Sequence, residues 1–165
     1  MNFSSSFNNL LFYILLIFAL SIVIQFQRGR RINLNLAKSV MEKIRTTFKG
    51  FEREYQWIGG LSGFQAILSK GSVKISILFL MLPRHSLLYL PISKVLKGGD
   101  WLSIRFEFKK KEKFSKDIFV ISVPDIELRR LEEKGDELYL FIVIKRPKIE
   151  LIDKVFDHIS KFVLK

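Results

Sequence analysis

From Leu10 to Phe26 the chain reads LLFYILLIFALSIVIQF, an apolar run broken only by Ser21 and Gln25 and holding no charge. At about 1.5 Å per helical residue it reaches roughly 26 Å, near the lower limit for crossing a bilayer core. A cleavable leader is the competing reading, but it needs positive charge before the apolar stretch and small residues after it. Residues 1–27 contain no Lys or Arg, and the stretch ends in Gln25-Phe26-Gln27-Arg28. A retained single-pass anchor is therefore expected. Arg28, Arg30 and Arg31 follow at once, and positive charge flanking one end of a span keeps that end cytoplasmic. The expected organisation is a short extracytoplasmic tail (1–9), a transmembrane helix (10–27) and a cytoplasmic domain (28–165).

All 28 Lys and Arg residues lie at or beyond Arg28, so the formal net charge of +12 belongs to that domain. Such a balance attracts polyanions, either nucleic acid or an anionic lipid surface, or else serves solubility alone. The absence of cysteine excludes disulfide scaffolds, thiolate metal sites and thiol nucleophiles. Sixteen phenylalanines point toward sheet packing rather than a helical bundle.

Periodicity then sets the expected fold. Ala37, Val40, Met41, Ile44 and Phe48 share a helical face, in a helix capped by Asn33 or Asn35. Gly59-Gly60 opens a β region in which Leu61–Ser69 and Val73–Leu82 flank a Lys70-Gly71 turn. The far end of Val73–Leu82 is apolar on both faces, which places it in mid-sheet or against lipid or a partner. Trp101–Phe108 alternates cleanly, while Ile118–Val123 and Leu138–Ile144 read as central strands. Asp125–Lys134 reads as a short helix closed by Gly135, and Ile149–Leu164 as a long amphipathic one. The expected class is α+β: one small domain with a mainly antiparallel sheet and flanking helices.

Catalytic signals are weak. His85 and His158 lie far apart, and neither Asp153 nor Asp157 shares a helical face with His158; a zinc site needs three or four converging ligands. Gly60-Leu61-Ser62-Gly63 lacks the final glycine of a nucleophile elbow, having Phe64 there. No P-loop is present. The chain is expected to be no enzyme and to take no cofactor, metal or small-molecule substrate. Two segments remain. Lys109, Lys110, Lys111, Lys113 and Lys116 form a basic run suited to RNA phosphates or anionic headgroups, or to a solvated hairpin tip. Phe106 and Phe108 fall on the apolar face, which speaks against a base-stacking platform. The segment Leu78–Leu96 is too interrupted to be a second span. It is either a buried strand with an apolar loop or short helix, or an exposed surface in which Met81, Arg84, Leu87, Leu88, Tyr89 and Leu90 meet membrane or partner.

Asn33-Leu34-Asn35-Leu36-Ala37-Lys38, Gly59, and Leu78-Phe79-Leu80 followed by Arg84-His85-Ser86-Leu87-Leu88 resemble the cytosolic domain of the calumin family, the coiled-coil-containing subunit of the PAT complex in the multipass translocon. The likeness continues through Leu102–Phe108, Phe119-Val120 and Leu128-Arg129-Arg130-Leu131, and covers roughly residues 32–135. It implies a minimal relative, without that family's acidic luminal segment or coiled-coil tail. Its implied role is to sit beside the Sec translocon and the ribosome and assist insertion of membrane proteins. Calcium binding belongs to the missing luminal segment and is not implied. The alternative expectation is a peripheral domain or scaffold that binds anionic membrane lipid.

Overall fold

The computed structural model describes residues 3–108, 125–146 and 149–163. Its first element, α1 (Phe3–Thr47), is one uninterrupted helix of 45 residues, about 67 Å long at the α-helical rise. It is the one helix among the described residues that is long and apolar enough to cross a membrane, and none of its most apolar stretch, with a mean hydropathy of 2.3, is buried. The expected break before a second helix is not found. Neither Asn33 nor Asn35 caps anything: both lie inside α1, and the Asn33 amide bonds to carbonyls of the domain instead.

The lower half of α1 packs on a six-stranded sheet. Its strands are β1 (Glu52–Ile58), β2 (Gly63–Lys70), β3 (Val73–Leu80), β4 (Asp100–Phe108), β5 (Ile126–Lys134) and β6 (Glu137–Ile144), ordered β1-β2-β3-β4-β6-β5. Every neighbouring pair is antiparallel. Because β6 inserts between them, β4 and β5 run parallel. Two helices complete the order, α2 (Tyr89–Lys97) before β4 and α3 (Ile149–Val163) after β6.

Alternation sorts each inner strand into two faces. Phe64, Ala66 and Leu68, Ile75, Ile77 and Phe79, Leu102, Ile104 and Phe106, and Leu138, Leu140 and Ile142 are buried on one side. The register sets Ile77 opposite Ile104 and Ile104 opposite Leu140, so these rows continue across the sheet. They meet Leu36, Ala37, Val40 and Ile44 of α1, Phe48 just past its end, and Ile152, Val155, Phe156 and Ile159 of α3 in one cluster. Each large side chain so buried contributes about 1.5–3 kcal/mol relative to exposure. Between the helices, Lys43 Nζ lies 2.8 Å from Asp157 and 3.5 Å from Asp153.

β3 lies in mid-sheet between β2 and β4. Two other readings need correction. Asp125–Lys134 forms no helix; it is the edge strand β5, with Asp125 at a positive φ of 72° just before it. A bulge between Leu128 and Arg130 puts Ile126, Leu128 and Leu131 at spacings of two and then three, and the second spacing imitates a helical face. Gly59-Gly60 does not open the β region either: β1 precedes it, and the two glycines form the β1–β2 turn at φ 56° and 65°. The expected strand Ile118–Val123 lies outside the described residues.

Candidate functional site at the junction of helix and domain

Pro83 follows the end of β3, where the chain leaves the sheet and turns back across α1. The crossing has no room for a side chain. A Cβ built on Gly29 would lie within 3.0 Å of the Arg84 carbonyl and the His85 nitrogen, a separation real Cβ atoms essentially never show. One turn toward the apolar run, the Gln25 side-chain amide donates to the same Arg84 carbonyl at 3.0 Å. The ring of Phe26 meets His85 edge to face at 5.9 Å.

Beneath this crossing is a buried polar cluster. The Asp100 carboxylate, at the start of β4, is wholly inaccessible. It accepts the Leu82 N–H at 2.7 Å and two guanidinium bonds from Arg84, at 3.0 and 2.8 Å. Arg84 Nη1 also donates to Asn33 Oδ1 at 3.1 Å. The Asn33 Nδ2 group in turn donates to the Leu61 and Leu82 carbonyls, at 3.1 and 3.0 Å. A carboxylate out of water is tolerated when paired and fully hydrogen-bonded, as here, and its loss leaves a costly orphaned charge. The cluster ties α1 to β4 and to the chain just before β2 and just after β3. We refer to it, with the Gly29 crossing, as the clasp.

Beyond the clasp, Ser86 leads into α2: its hydroxyl accepts the Tyr89 N–H at 3.3 Å and its carbonyl the Leu90 N–H at 3.0 Å. Pro91 sits in the first turn, where its missing N–H costs nothing. Gly98, left-handed at φ 73°, closes the helix by bonding the Lys94 carbonyl. Trp101 secures that end by donating from its indole nitrogen to the Lys97 carbonyl at 3.0 Å, with Lys97 Nζ above its ring. The orientation of α2 is inverted for a helix on a soluble domain. Its one buried residue is Ser93, whereas Leu88, Val95 and Leu96 are 72%, 85% and 76% exposed, and Tyr89 and Ile92 are exposed with them.

The residues singled out from sequence separate here. Leu87, Leu88 and Tyr89 lie on the exposed surface and Leu90 is half-buried. Met81 is only 2% exposed and belongs to the core, so it offers no contact surface. Arg84 is turned inward onto Asp100, so its guanidinium is engaged within the domain. Arg28, Arg30 and Arg31 are exposed on α1 just after the apolar run. Arg28 lines a groove of about 400 Å³ together with Gln25, Ile32, Leu90 and Lys94. Lys109, Lys110, Lys111, Lys113 and Lys116 lie outside the described residues. Sequence reasoning passed over Gly29, Asp100 and the stripe through Ile92, Val95 and Leu96, and took Asn33 for a helix cap. For the stripe the signal was present, since Leu88, Ile92 and Val95 are four and three apart. Among the described residues, no group of three or more His, Asp or Glu side chains could hold a metal ion.

Compared with known proteins, the chain matches no family model and no curated protein.

Proposed function

We propose that this chain is a non-enzymatic, single-pass membrane protein that works by position, as a scaffold or insertion factor beside the Sec translocon. The observation that carries the reading is the clasp. A flexible tether would let the domain diffuse around its anchor; here the helix that enters the lipid is the same rigid rod that carries part of the domain core. Gln25, Phe26 and Gly29 touch the domain directly, so removing the apolar helix as a leader would take packed residues with it. Retention follows. The arginines after the span support a cytoplasmic domain.

The choice of the translocon rests on the resemblance to the calumin family, whose domain also follows a membrane span. The geometry is compatible with a ribosome-facing pole. β4 runs nine residues away from the clasp, about 30 Å, before the lysine run begins after Phe108. Phe106, ahead of that run, is buried, so that ring offers no stacking surface and charge would be the means of meeting RNA there.

Purification of the full chain from native membranes in mild detergent at low salt tests the proposal. Translocon subunits or ribosomes are expected to copurify and to be released as salt is raised. A preparation free of both at low salt would overturn it.

A further inference from the structure

We infer that α2 lies in the headgroup layer of the same bilayer that holds α1, with the stripe Leu88, Tyr89, Ile92, Val95 and Leu96 resting on lipid acyl chains. The inference rests on α1 being a retained span, but not on the translocon assignment.

Three observations converge. The first is the inversion of α2: it buries Ser93 and exposes its large apolar residues, an arrangement that water disfavours and an apolar medium favours. The second is depth. Arg84 and His85 touch α1 at Gln25, Phe26 and Gly29, the turn in which the apolar run gives way to arginine. Leu88 follows His85 by three residues, so α2 begins level with the membrane surface. The third is the charge around it. Arg28 and Lys94 share the groove beside α2, and among the described residues neither forms an ion pair. They are free to meet lipid phosphates while Tyr89 takes the interfacial position that amphipathic aromatics prefer.

A protein partner fits less well. Nine helical residues span about 13 Å, a short face on which to seat a protein partner. The stripe instead continues the lipid-facing surface of α1, so a bilayer covers both with no further component.

The chain has no cysteine, so single nitroxide labels can be placed on the full-length protein at Leu88→Cys, Ile92→Cys and Leu96→Cys. Phe18→Cys serves as the lipid reference and Asp136→Cys, in the exposed β5–β6 turn, as the water reference. In nanodiscs of phosphatidylcholine and phosphatidylglycerol, the α2 labels are expected to be several-fold less accessible to a water-soluble nickel chelate than Asp136→Cys. They should also be oxygen-accessible, as Phe18→Cys is. Nickel accessibility equal to that of Asp136→Cys would overturn the inference. So would dipolar broadening at α2 that disappears on dilution with unlabelled protein, which assigns the stripe to a second copy. If Phe18→Cys itself reads as aqueous, the span fails first and the inference with it.

Discussion

Gly29 and Arg84 face each other backbone to backbone: a methyl group on the Gly29 α-carbon would run into the Arg84 carbonyl. Neither partner can yield cheaply, since one is mid-helix and the other is fixed by its side chain to Asp100. Gly29→Ala is expected to destabilise the domain by about 1–3 kcal/mol, the usual range for overpacking. Thermal unfolding of the full chain in detergent reads this as a lower midpoint, and Ala at the open turn position Gly60 would not reproduce the Arg84 collision.

Removing one member of the buried pair leaves the other uncompensated. Asp100→Asn is expected to cost about 3–5 kcal/mol, because Arg84 then stays charged with no countercharge beneath it. The double variant Arg84→Met with Asp100→Asn should be less damaging than the sum of the single changes. Strict additivity in that double-mutant cycle would mean the pair is not coupled.

On the sheet face away from the helices, Glu137 accepts bonds from Arg105 and from the Tyr139 hydroxyl. The Arg105 bond chiefly, and the Tyr139 bond after it, hold the Glu137 carboxyl below its ordinary range. The linked stability is then present above the ordinary carboxylate value and is lost as pH falls through the depressed one. A carbon-detected titration should find the Glu137 midpoint low, and Arg105→Gln should move it upward. A midpoint indifferent to that change would break the assignment.

Lys43 joins α1 to α3. Its bond to Asp157 chiefly raises its pKa, partly opposed by burial. Its contribution is therefore complete below the ordinary lysine value and lost as pH climbs through the raised one. Lys43→Met is expected to cost about 0.2–1 kcal/mol, less at high salt, since both carboxylates are substantially exposed. Denaturant midpoints at two ionic strengths decide it; a cost that grows with salt would contradict the ion pair.

The elements legible in sequence were those with unbroken periods. Val73–Leu80, Asp100–Phe108 and the closing helix Ile149–Val163 fall where alternation or a helical stripe placed them, and Glu137–Ile144 where a run apolar on both faces did. The failures have local causes. β5 carries the charges of an edge strand, and its bulge turns a period of two into a spacing of three. β1 is exposed along nearly its whole length, so Glu52–Ile58 shows no buried alternation to find. Asn33 has a residue type that suits helix starts, and only the fold supplies the carbonyls of Leu61 and Leu82 that satisfy it within a helix. The Arg84–Asp100 pair spans sixteen positions and joins groups that no short motif connects.

Because α1 runs unbroken from residue 3 to residue 47, it has no joint at which a tilt could be absorbed. As the proposed span, its apolar length of roughly 26 Å is short for a hydrocarbon core of about 30 Å, and the rod would then stand nearly upright or draw the leaflets together. Thinner bilayers relax that demand and let it lean. The domain, being clasped to the rod, would lean with it, so in such a span local membrane thickness would set the attitude of everything mounted above.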